Sequence, residues 1–212
     1  MKFFNRVNSF TSIFFLFSLI LNAQQEERKI IKILQAGSSS QNELKFPGAN
    51  ILTKIANTRV HLFHEGALIK SDISYFYPKK NFFTAKGKVI FTQGDSLKMT
   101  CDYIEYDGEK KIAFARGNVF LERPDMTLNT DSLELDRLKS KAYYQTGGVI
   151  RDENTKLTSK TGVYFIDEKK YRFIDKVNIY DTEYTMQSKE LDYFTELNKA
   201  FFKGKTKIIG QD

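Results

Sequence analysis

"SLKMTCDYIEYDGEKKIAFARGNVFLE", from Ser96 to Glu122, decides the fold. Before Asp102 the apolar and small residues fall at Leu97, Met99 and Cys101, and after it at Ile104 and Tyr106. Alternation at every second residue marks a strand with one buried face. Here the buried face changes side at one residue. A strand does this only through an extra residue, as a bulge or a sharp bend. The chain then meets Asp107-Gly108, turn chemistry, and runs back to Gly117-Asn118-Val119.

The pattern repeats. Anchors equivalent to Asp102 stand at Asp72, Asp131, Lys160 and Lys189, so positions 72, 102, 131, 160 and 189 are separated by 30, 29, 29 and 29 residues. The residue before each anchor is small: Ser71, Cys101, Thr130, Ser159, Ser188. Three before it stand Ile69, Met99, Leu128, Leu157 and Met186, and nineteen after it Phe91, Leu121, Ile150, Ile179 and Ile208. The two positions that follow on the switched face are filled by Phe76, by Ile104 and Tyr106, by Leu133 and Leu135, by Tyr164, and by Leu191 and Tyr193. Each unit leaves through an aromatic residue (Phe83, Phe114, Tyr144, Phe173, Phe201), and four pass a glycine (Gly87, Gly117, Gly147, Gly204). A degenerate first copy lies at Leu34-Gln35-Ala36-Gly37, followed by a loop carrying Pro47-Gly48, and the last copy reads as a strand that begins and stops.

The spacing predicts an all-β protein of two antiparallel strands per unit of about 29 residues. About five and a half units give about eleven strands, a stack on the order of 50 Å at ~4.8 Å per strand. Each strand bends at its anchor and contributes to two sheets, which makes a repetitive antiparallel β-jellyroll with an apolar interior and two open ends. Asp72, Asp102 and Asp131 are expected to mark bends, not a catalytic carboxylate pair.

The 212 residues suit one domain, and 33 basic against 26 acidic residues leave a formal charge of +7. That balance fits an acidic partner. Lys2 and Arg6, the apolar run Ser12 to Leu21 and then "NAQQEER" form a signal-peptide layout, with cleavage after Ala23 or Gln24. The run is shorter than the ~20 residues a membrane span needs, although a retained anchor stays open as an alternative. The organisation is therefore a signal peptide over 1–23 and a β domain over 24–212. Export turns the basic charge away from nucleic acid and toward an envelope polyanion. Cys101 stands alone, so no disulfide framework exists, and it fills a column otherwise held by Ser or Thr. His61 and His64 lie three apart on a strand, facing opposite ways, with no further ligands nearby; they read as polar strand residues, with no metal. The lysine pairs of "PKK" (78–80), "EKK" (109–111) and "EKK" (168–170) sit at turns and either protect edges or face lipid phosphates.

The unit "CDYIEYDGEKKIAFARGNV", with "TDSLELDRLKSKAYYQTGGV" and "HEGALIKSDISYFYPKKNFFTAKGKV", resembles the OstA/LptA-type repeat of lipopolysaccharide transport, and the last the OstA-like proteins of Bacteroidota. The resemblance spans roughly residues 29–209. It implies a periplasmic jellyroll bent like a taco, whose groove shields the acyl chains of lipopolysaccharide, or lipid A, during outer membrane biogenesis. It also implies no catalysis, no cofactor, and end-to-end joining with LptC-like and LptD-like partners or with further copies. The columns from Ile69 to Tyr193 would line that groove. Lys160 and Lys189 depart from the aspartate of the pattern. An inner-membrane-anchored LptC-like relative, or a structural β-repeat with a dry core and no lipid, remain the alternatives.

Overall fold

The computed structural model describes residues 29–210 except residue 198. The expected signal peptide lies outside the described residues. Eighteen antiparallel strands form a single sheet. They are β1 (Lys32–Gln35), β2 (Ser38–Gln41), β3 (Asn50–Thr53), β4 (Val60–His64), β5 (Ala67–Ser71) and β6 (Ile73–Tyr77). Next come β7 (Phe82–Gln93), β8 (Leu97–Asp107), β9 (Ile112–Glu122), β10 (Thr127–Asp136), β11 (Lys141–Tyr144) and β12 (Gly148–Arg151). The last are β13 (Lys156–Ser159), β14 (Thr161–Phe165), β15 (Lys170–Tyr180), β16 (Tyr184–Phe194), β17 (Lys199–Lys203) and β18 (Lys207–Gly210). One 3-10 turn, Pro78–Lys80, joins β6 to β7.

These eighteen strands lie on twelve bent rungs. Six rungs are unbroken (β7, β8, β9, β10, β15, β16) and six are split at the bend into pairs such as β5 and β6. The sequence predicts about eleven. The degenerate copy bends at Gly37 as a full copy would, and the last copy completes its rung as β17 and β18.

Hydrogen-bond register divides the rungs into two legs. Leg A joins β1, β4, β5, the second half of β7, the first half of β8, the second half of β9, the first half of β10, β12, β13, the second half of β15, the first half of β16, and β18. Leg B joins β2, β3, β6, the remaining halves of β7 to β10, β11, β14, the remaining halves of β15 and β16, and β17. One sheet is thus folded lengthwise, and its two legs face each other across the core.

At the fold line the buried face changes side as the alternation around Asp102 predicts. Asp102 and Tyr103 both point out, so burial moves from Met99 and Cys101 to Ile104 and Tyr106. The extra residue stands on the neighbouring rung: Val89 pairs with Cys101 and Lys86 with Tyr103, leaving Gly87 and Lys88 opposite Asp102 alone. Gly87 and Lys88 have φ of +81° and +48°, and Gly117 and Asn118, opposite Asp131, have +72° and +48°. Glycine is required here for space as well. A Cβ on Gly87 would come within 2.9 Å of Asp72 Cβ, and one on Gly117 within 2.7 Å of Asp102 Oδ2. The anchors act through their backbone: Asp72 N donates to Gly87 O (3.0 Å), and Lys160 N to Asp175 O (2.8 Å). Their side chains stay at least partly exposed, so Lys160 and Lys189 serve where aspartate stands elsewhere. Asp72 adds contacts to Arg59 (3.2 Å) and Lys54 (3.3 Å), and Asp102 accepts from Asn118 Nδ2 (2.7 Å).

Candidate functional site

The register sets every groove residue predicted from the sequence on the inner face of a leg: Ile69 opposite Phe91, Met99 opposite Leu121, Leu128 opposite Ile150, Leu157 opposite Ile179, Tyr171 opposite Tyr193. The exit aromatics do not share one face. Phe83, Tyr144 and Phe173 are buried inside, whereas Phe114 pairs with outward Glu105 and Phe201 with outward Asp192. The glycine of the exit slides between fifteen and sixteen residues after its anchor, and the aromatic between 11 and 13.

Burial along the inner face is graded. In the column three before each anchor, Ile69 and Met99 are 1% exposed, Leu128 5% and Leu157 9%, and Met186 is half-buried. In the facing column, Phe91 is 0% exposed, Leu121 5%, Ile179 9% and Ile208 60%. These two columns of leg A loosen toward the C-terminal end, while Phe173 and Leu191 on leg B stay buried. The core splits accordingly into a large cluster from Ile31 to Tyr144 and a smaller one from Leu157 to Leu191, with Met126 and Ile150 against both.

A polar clasp seals the N-terminal part of the mouth. His64, at the tip of leg A, is 1% exposed. Its Nδ1 lies 2.8 Å from the Tyr106 hydroxyl of leg B, and its Nε2 lies 3.0 Å from Lys29 O. Arg137, at a leg B turn, donates to the Tyr106 hydroxyl (2.8 Å) and to Glu65 O (2.7 Å). Glu65 receives Lys29 Nζ at 2.8 Å and Lys111 Nζ at 2.7 Å. Those two lysines hold its carboxyl at about 2, well below the usual carboxylate range. The segment at Lys29–Ile31 crosses between the tips, tied by Asn81: Ile31 N donates to Asn81 Oδ1 (2.8 Å) and Asn81 Nδ2 to Lys29 O (3.1 Å). Here the structure corrects the reading of His64 as an ordinary polar strand residue. It is a buried bridge between legs, with partners far away in sequence.

Where the clasp ends, the tips meet differently. Arg123 of leg A lies over the ring of Tyr164 of leg B, 5.2 Å from its centroid, and Tyr164 stacks on Tyr171 at 4.2 Å. Beneath them lies an apolar cavity of about 40 Å³ lined by Leu121, Met126, Leu128, Ile150, Tyr171 and Phe173, among others. Its volume is that of a water or two. Arg123, Tyr144, Tyr164 and Tyr171 bring the polar tips of its lining. Burial pushes the Cys101 thiol up to about 12, which keeps it protonated and unreactive. Among the described residues no group of His, Cys, Asp and Glu could hold a metal ion, and no helix is long and apolar enough to cross a membrane.

Among the described residues the first and last rungs pair on one side only. β1 and β2 are exposed throughout at one end of the stack, and β18 and most of β17 at the other.

The sequence profile of the OstA-like protein family matches residues 29–189. The chain belongs to the OstA-like family. The match covers all the anchors from Asp72 to Lys189. Among solved structures the OstA-like chain is similar to LptH of Pseudomonas aeruginosa, described as the LptA-homologous periplasmic component of the lipopolysaccharide transport device. The identity is 15% and the TM-score 0.32, over 69% of this chain and 95% of that one. No curated protein matches it.

Proposed function

We propose that this OstA-like chain is an exported, periplasmic component of lipopolysaccharide transport. It shields acyl chains between its legs and releases them at an open end, without catalysis. The observation that carries this reading is the continuous apolar inner face, whose leg A columns run from 1% exposure at Met99 to 9% at Leu157 and Ile179 and 60% at Ile208. Apolar surface leaves water at a gain of roughly 25 cal/mol per Å², so the open columns favour acyl chains with no specific polar contact. The lipid-accepting part is then the C-terminal half, from Leu128 onward, including Ile150, Leu157, Tyr164, Ile179, Met186, Leu191 and Tyr193. Ile69, Phe76, Phe91, Met99, Ile104 and Tyr106 act as the plug that closes it. The unpaired edges at β1 with β2 and at β17 with β18 offer backbone groups to a strand of an LptC-like or LptD-like partner, or of a second copy.

In-cell photocrosslinking tests the reading. A photoreactive residue at Leu157 or Met186 should give a lipopolysaccharide-shifted band, and one at exposed Lys110 or at plugged Met99 should not. No shift at Leu157 or Met186 in a folded, exported protein would make the interior plain core and leave a structural β-repeat protein.

A further inference from the structure

The two legs differ on the faces they turn outward. Register points nine aromatic side chains out from the strands of leg B and three from those of leg A. On leg B these rings alternate with cations placed over them. Lys80 Nζ lies 5.4 Å from the Tyr77 centroid, Lys86 Nζ 5.5 Å from Tyr75, Arg116 Cζ 4.4 Å from Phe114, and Lys141 Nζ 5.5 Å from Tyr143. The outer face of leg A carries one such pair, Lys156 over Tyr180.

Three features say what this surface fits. First, Lys80, Lys86, Arg116 and Lys141 form no ion pair among the described residues; of the carboxylates that share this face, Asp107 and Asp136 pair with Lys110 and Lys139, which leaves Glu105 and Glu134. Toward the C-terminal end the charges satisfy one another instead, as Arg172 does with Asp192 at 2.6 Å. Second, the face already accepts an apolar group: Phe46, from the loop before β3, packs on Tyr75 at 4.4 Å and covers only that corner. Third, the face is a pleated sheet surface with a cation over six of its nine outward rings. A protein interface concentrates its apolar core away from charge, and a small ligand needs a concavity. Half-buried rings flanked by cations on flexible stems are what a bilayer interface takes. Rings sit at headgroup level, and ammonium and guanidinium groups reach the phosphates.

We propose that the outer face of leg B, centred on Tyr75, Tyr77, Phe114 and Tyr143 with Lys80, Lys86, Arg116 and Lys141, is a membrane-contact surface that lies on anionic phospholipid headgroups. The surface is separate from the interior between the legs and does not depend on what that interior holds.

Flotation with vesicles tests it, using the chain after removal of residues 1–23. The chain should float with vesicles of phosphatidylcholine mixed with phosphatidylglycerol, hardly with phosphatidylcholine alone, and less as salt rises. The double variant K86E/R116E should bind the mixed vesicles about tenfold more weakly or worse. F114S/Y143S, checked for a native melting transition, should also lose binding. R151E/K156E on the outer face of leg A makes the same change in net charge and should bind as the parent does. Equal loss in that control would reduce the effect to net charge and overturn the proposal. So would vesicles that capture none of the chain. Binding of a soluble phosphorylated polysaccharide that K86E/R116E abolishes, with vesicles ignored, would give the face to a saccharide and overturn it too.

Discussion

Glu65 concentrates the electrostatics of the clasp in one carboxylate. Lys111 and Lys29 depress its folded value to about 2, against 4.5 unperturbed. A depressed carboxylate contributes stability that is fully present above its unfolded value and is lost as pH falls toward the folded one. Denaturant melts should therefore show the chain losing stability between about pH 4.5 and pH 2, and E65Q should flatten that slope by removing the titration. An unchanged slope in E65Q would show that the clasp does not form in solution. The fold line makes a second residue-scale prediction. Gly117 and Gly147 both have positive φ, +72° and +88°, but a Cβ meets Asp102 only at Gly117. Gly147→Ala should cost the backbone strain alone, about 1–2 kcal/mol, and Gly117→Ala more, since a neighbour must also move. Chemical denaturation of the two variants ranks them, and equal losses would remove the steric account of the corner.

The rung is the element at which sequence and structure agree best. A period of two on each side of the anchor predicts the strands, the bend and the inner columns, because the pleat leaves a local mark in every copy. Ile69, Met99 and Leu128 are buried for the reason their alternation gives. What local pattern cannot carry is contact between legs. His64 and Tyr106 are 42 residues apart and Arg137 reaches back 73 to His64, so no spacing rule links them. The exit aromatics stand 11, 12, 13, 13 and 12 residues after their anchors, and since one residue moves a side chain to the other face, the odd offsets (Phe83, Tyr144, Phe173) point in and the even ones (Phe114, Phe201) out. The grading of the leg A columns, like the contact between legs, is read only from packing, and it predicts unequal truncations. Met99→Ala removes a sealed side chain and should cost about 2–5 kcal/mol, whereas Met186→Ala, in the same column but half-buried, should cost clearly less. Similar losses would mean that both ends of the stack are packed alike.

At the scale of the molecule, the sheet is a hinge held shut unevenly. The clasp joins the tips over the N-terminal part through Tyr106, Arg137, Glu65 and their partners. Beyond it the legs pack through the smaller cluster, Leu157, Val177 and Ile179 of leg A against Tyr171, Phe173 and Leu191 of leg B, with Arg123 over Tyr164 at the tips. The cavity beneath that contact, about 40 Å³, has room for a water or two and not for an acyl chain. Under the proposed function, loading would part the tips at Arg123 and Tyr164 while the clasp holds the other end, so that the opening widens away from the clasp. The motion turns apolar walls from each other to the incoming chain, and burial by the ligand offsets what the legs lose. A tether across the tips should therefore block loading. With Cys101 replaced by Ser, cysteines at Arg123 and Tyr164 joined by a short reducible bis-thiol crosslinker should leave the fold intact but bind a fluorescent fatty acid or lipopolysaccharide poorly. Reduction of the tether should restore binding to the level of the uncrosslinked chain. The same crosslinker between Lys111 and Glu65 positions, where the clasp already holds the legs, should have no effect on uptake. Full loading of the chain tethered at 123 and 164 would show that lipid enters without parting the legs, through the open C-terminal end alone.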